Sequence, residues 1–146
     1  MAEGVFRMLV ERERLSGHIT IDSAGTHHHQ LGESPDTRAM RAARRRGYDL
    51  SSQRARLFEV DDFGRFDWIV AMDSVNLRFL QSLRPAGHRG HLGLFLDFAP
   101  ELGLRDIPDP YYGKPEDFER VLDLVERGAA PLLAAVRGAL PKRSAP

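Results

Sequence analysis

Asp109-Pro110-Tyr111-Tyr112-Gly113 is the segment richest in chemistry. An aspartate on a proline-stiffened loop beside two aromatic rings can serve as a general acid. Aromatic rings beside a carboxyl group can lower the local polarity and favour its protonated form. The same rings can wall a pocket for a flat aromatic substrate. Taken alone, an Asp-Pro turn accounts for these residues without any chemistry.

Two further segments place polar side chains at the ends of apolar runs. Asp22-Ser23-Ala24-Gly25-Thr26 follows His18-Ile19-Thr20-Ile21 and can hydrogen-bond a neighbouring loop, or form an ordinary Asx or Ser/Thr turn. Asp73-Ser74 follows Phe66–Met72, where Asp73 can orient an anion-binding loop or simply cap the next helix. His27-His28-His29 suggests a metal, but no partner stands at a diagnostic spacing, so loop histidines are expected. Arg38, Arg41, Arg44, Arg45 and Arg46 form a basic run that can attract phosphate or line a solvated helix face.

Composition narrows the chemistry further. The chain has 146 residues, 21 basic and 21 acidic side chains, and no cysteine. The balanced charge argues against broad binding to nucleic acid or anionic membrane. Without cysteine there is no disulfide, no thiolate-bound metal and no thiolate nucleophile. No apolar run approaches the ~20 residues of a transmembrane helix, and the opening lacks a signal-peptide pattern, so a cytoplasmic protein is expected.

The elements that must position these side chains follow from periodicity. Val5, Met8, Leu9 and Leu15 predict a helix from the first residues, uncapped at its start and stopping at Ser16-Gly17. Strands are predicted at 18–21, 66–72 and 91–95. Helices are predicted from Ser34-Pro35-Asp36 to Arg46, over 75–83, and from Pro115 to about Gly138, with Gly128 and Pro131 expected to bend or break the last. Residues 50–60 read as loop with a short helix, and 100–112 as a long loop. Alternating strands and helices predict one α/β domain over 1–146 with parallel pairing. Ligands in such folds sit beyond the C-terminal ends of the strands.

The ordered set MAEGVFR, IDSAGT, SPDTRA, AMDSVNL and DPYYG, followed by an acidic amphipathic helix, resembles the low-molecular-weight protein-tyrosine-phosphatase family, which includes related arsenate reductases. The resemblance implies a three-layer α/β sandwich around a small parallel sheet. It also implies phosphomonoester hydrolysis through a phosphocysteine, with a phosphotyrosine protein or small aryl phosphate as substrate and no cofactor or metal. In the family a C-x5-R-S loop presents the nucleophile, backbone N–H groups and an arginine to the phosphoryl group. That loop runs into the helix that reads Met1-Ala2-Glu3-Gly4 here. The expectation is therefore an N-terminally truncated domain lacking the first central strand, the cysteine and the phosphate-binding arginine, and so inactive.

Carried over residue by residue, Asp109 matches the general acid and base, and Tyr111 and Tyr112 the pocket wall. His29 falls where many members place an aromatic residue on the opposite wall. Ser23 matches a serine bracing the phosphate loop, and Asp73 a supporting carboxylate. Ser52 replaces a histidine found in some members. The alternatives are a non-catalytic interaction protein on the same scaffold and an arsenate reductase, whose chemistry needs further cysteines.

Overall fold

The first helix, α1 (Ala2–Arg12), forms because Val5, Phe6 and Val10 recur on one side and are buried together. Glu3 in its first turn and Arg12 in its last suit the helix dipole, and Met1 caps it with no side-chain hydrogen bond. In this computed structural model, which describes residues 1–26, 32–110 and 113–141, α1 ends earlier than its sequence suggests. Arg14 takes a left-handed conformation at φ 59°, and Leu15 N donates to Val10 O at 2.9 Å while Arg14 N donates to Glu11 O at 3.0 Å. That is a complete Schellman ending built on arginine instead of glycine.

The predicted strand at 18–21 is not one. Ile19 and Ile21 use their alternation to pack against the core, and Ile21 O accepts from Arg7 Nη2 at 2.9 Å. A strand needs a ladder partner, and among the described residues this segment has only a single bridge further on, Gly25 to Leu57. Helix α2 (Thr37–Arg45) is capped by Asp36, whose carboxylate accepts from Arg38 N at 2.8 Å. Pro35 therefore sits before the cap. Gly47, at φ 88°, closes the helix as expected.

A short helix, α3 (Asp62–Arg65), leads to β1 (Trp68–Ala71), α4 (Ser74–Leu83) and β2 (His91–Leu94). Among the described residues the sheet is this parallel pair, in register from Trp68 opposite His91 to Ala71 opposite Leu94. β1 is covered on both sides, as parallel strands are. Ile69 and Ala71 join Phe63, Leu80 and Leu94 under α3 and α4, while Trp68 and Val70 turn to the larger core of α1, α2 and α5. The result is three layers, helices on each side of a small sheet.

Two 3-10 turns, Phe95–Phe98 and Pro100–Leu102, lead from β2 into the long loop. Helix α5 (Pro115–Ala139) then runs unbroken through Gly128 and Pro131. Gly128 is required by packing: a Cβ there would collide with the Phe95 ring. The basic run on α2 is not a solvated face throughout. Arg46 pairs with Glu119 at 2.6 Å, Asp123 at 2.9 Å and also Glu126, a single stripe along α5. Hydrogen bonding to Glu126, ahead of the other two carboxylates, raises the Arg46 pKa above its ordinary value. No helix among the described residues is long and apolar enough to cross a membrane.

Candidate active site

The C-terminal end of β1 gathers three segments. Met72 O, just past the strand, accepts from Ile107 N at 2.9 Å, which fixes the start of the Asp109 loop. Asp106 Oδ1 accepts from Ser74 N at 2.9 Å and Ser74 Oγ at 2.7 Å. The hydroxyl of Ser74, with its amide behind it, holds the Asp106 carboxyl below the usual aspartate range. Asp73 Oδ1 accepts from Asn76 N at 2.7 Å, the N-cap of α4. Asn76 Nδ2 in turn donates to Thr26 Oγ1 at 3.2 Å. The 22–26 loop, the first turn of α4 and the approach to Asp109 are thus joined by one run of hydrogen bonds.

Ser23 lies on the first of these loops and is exposed. Its amide donates to Asp22 Oδ1 at 2.8 Å and its hydroxyl to Glu3 Oε1 at 2.7 Å, tying the loop to the first turn of α1. Asp109 is exposed on the third segment. Ser52 is exposed in a turn. Tyr111, Tyr112 and His29, the three residues expected to wall the pocket, lie outside the described residues, as do His27 and His28. Among the described residues no cluster of histidine and carboxylate side chains could hold a metal ion.

Sequence reasoning passed over the residues that hold these loops. Arg56 is one. Its Nε donates to Asp22 Oδ2 at 2.9 Å, and its Nη1 to Asp62 Oδ2 at the same distance. Asp62 is 1% exposed and also accepts from Glu59 N at 2.9 Å. Burial pushes its pKa up most strongly. The Arg56 hydrogen bond, the Glu59 amide and the charges of Arg56 and Arg65 together outweigh burial, so the pKa ends below the ordinary value. No local pattern marks Arg56 and Asp62 as partners, because neither side chain caps a predicted element.

A depressed folded-state pKa means that Asp62 stabilises the fold fully above the unfolded value of about 3.9, and that this contribution is lost as pH falls through the folded pKa. Urea unfolding at a series of pH values should therefore show stability level above about pH 5 and declining below about pH 4. Asp62→Asn should cost about 1–3 kcal/mol at neutral pH and flatten that acid limb. An unchanged acid limb in the variant would assign the decline to other carboxylates.

Comparison with known proteins bears on what this arrangement serves. The family model of low molecular weight phosphotyrosine protein phosphatases matches residues 1–142. A low molecular weight protein-tyrosine-phosphatase of Streptomyces coelicolor is 39% identical over 99% of this chain and 90% of its own. YfkJ of Bacillus subtilis, a protein of the same description, is 35% identical over 94% of this chain and 86% of its own. The crystal structure of a protein tyrosine phosphatase from Entamoeba histolytica with Hepes in the active site superposes with a TM-score of 0.89, at 30% identity, covering 94% of this chain and 87% of that one.

Proposed function

The chain belongs to the low molecular weight phosphotyrosine protein phosphatase family, and on that premise we propose that its loops form the acid side of a site for aryl phosphate monoesters. In this reading Asp109 protonates the leaving oxygen as the P–O bond breaks. As a carboxylate it then takes a proton from the water that hydrolyses the phosphocysteine. Tyr111 and Tyr112 line one wall of the substrate pocket and His29 the other, and phosphotyrosine in a protein or a small aryl phosphate is the substrate. Ser23 and Asp73 steady the phosphate-binding side. No metal or cofactor takes part, residues 1–146 act as one domain, and the protein works in the cytoplasm.

The observation that carries this reading is the anchoring of the Asp109 loop beside the first turn of α4, through Met72 O and Asp106. A flexible acid could not hold its proton near one ester oxygen, whereas a loop fixed at the end of a strand can. The chain as it stands holds no cysteine. It therefore has no nucleophile for the phosphocysteine route, and general acid catalysis alone contributes only about 10²–10⁴-fold. The cysteine count favours a second reading for this chain by itself, a non-catalytic protein that binds partners on the same scaffold.

An assay with p-nitrophenyl phosphate separates the two. The chain alone should release p-nitrophenol no faster than buffer. A version with a family C-x5-R-S loop and its strand placed ahead of Met1 should turn the substrate over. Turnover by the chain alone would overturn its assignment as inactive. A folded but inert extended version would leave the binding role.

A further inference from the structure

The far end of the Asp109 loop meets a side chain that neither the composition nor the motifs single out for this task. Arg38, in the first turn of α2, donates from Nη1 to Gly113 O at 3.2 Å. Its Nε and Nη2 form a fork on the Asp36 carboxylate at 3.2 and 2.9 Å. Its guanidinium carbon lies 4.8 Å from the centroid of the Phe118 ring on α5. The fork sets the plane of the group, the ring fixes one face, and the remaining edge points at the loop. A rigid, planar donor held in this way loses little freedom on accepting one more partner.

Gly113 is wedged from the other side as well. A Cβ there would collide with the Asp117 carboxylate, which accepts from Lys114 N at 2.7 Å at the start of α5. Gly113 N donates to Pro110 O at 2.8 Å. The loop that carries Asp109 is therefore held at entry by Met72 and Ser74 on the sheet side, and at exit by Arg38 on the helix side.

We propose that Arg38 is a positioning residue for Asp109, acting through Gly113 O to hold the exit of the acid loop against α2 and α5. The inference rests on the reading of Asp109 as the acid. A loop anchored at one end samples many directions for its carboxyl group, while a loop anchored at both ends samples few. Arginine is needed because the fork and the loop contact use separate edges of one plane. Lysine gathers its donors on one nitrogen and cannot present a planar fork and a separate edge together.

The test uses the full chain and needs no turnover, so its outcome is independent of the phosphatase assay. Amide exchange and the Asp109 carboxyl ¹³C resonance are followed in wild type, Arg38→Met, Arg38→Lys and the control Arg41→Met, an exposed position on the same helix. In Arg38→Met the Gly113 amide should exchange at least about tenfold faster. The Leu122 and Val125 amides in the core of α5 should stay near their wild-type rates, and the Asp109 resonance should broaden or split. Arg38→Lys should fall between, and Arg41→Met should match wild type. Wild-type behaviour of Gly113 and Asp109 in Arg38→Met would overturn the proposal. So would equal acceleration of the α5 core, which would mark a general loss of stability. If Arg38→Met does not fold, the same comparison in Arg38→Lys decides.

Discussion

In a version of the chain supplied with the family's C-x5-R-S loop, Asp109→Asn lowers kcat/KM for phenyl phosphate about 10²–10⁴-fold. Asparagine preserves the size of the side chain and its capacity to hydrogen-bond, but it carries no transferable proton. The loss is smaller for p-nitrophenyl phosphate, whose phenolate departs without protonation. kcat/KM reports the phosphorylation step that the acid serves, whereas kcat also carries the hydrolysis step that Asp109 serves as a base and that both esters share. Steady-state kinetics on both esters reads this directly. An equal loss of kcat/KM on both leaving groups, or none on either, removes Asp109 from the acid role.

Phe95→Ala should destabilise the fold by about 3–5 kcal/mol, the range for a large aromatic truncated in a core. Phe95 is 2% exposed and sits where β2 turns into the first 3-10 turn, with its ring against the backbone of α5 at Gly128. Alanine there leaves a cavity that neither partner can close, since glycine has no side chain to move in and α5 is held along its length by α1 and α2. For a domain of this size the cost corresponds to a fall in Tm of about 6–20 °C. Calorimetry or a urea melt checks it. A loss under about 1 kcal/mol would mean that α5 relaxes onto the sheet freely.

What could be read from the chain divides by the range of the interaction. Asp36 and Gly47 mark both ends of α2, Asp73 marks the start of α4, and β1 reads as an apolar run, because each of these signals is complete within a few residues. The strand expected at 18–21 failed for the opposite reason: its alternating isoleucines are satisfied by packing, and ladder bonds depend on a neighbour that no local pattern supplies. Arg14 ends α1 in a conformation that glycine usually announces. Gly128 and Pro131 suggested a break in α5, yet burial along most of that helix outweighs both. Within the site, the motif order pointed to Asp109, Ser23 and Asp73. It gave no sign of Arg56 with Asp62, Ser74 with Asp106, or Arg38 with Gly113, which are contacts between segments distant in sequence or side chains without a periodic pattern.

The packing of α1 on α5 also has a consequence during synthesis. Val5, Phe6 and Val10 leave the ribosome long before Leu132, Leu133 and Val136 of the same core. Until then the apolar side of α1 lacks its α5 cover, and the contacts that complete its burial join segments far apart in sequence. A refolding chain has both partners at hand from the start. The nascent chain must instead keep α1 soluble while the ribosome makes the cover, so it is most exposed to premature association in the interval before α5 emerges.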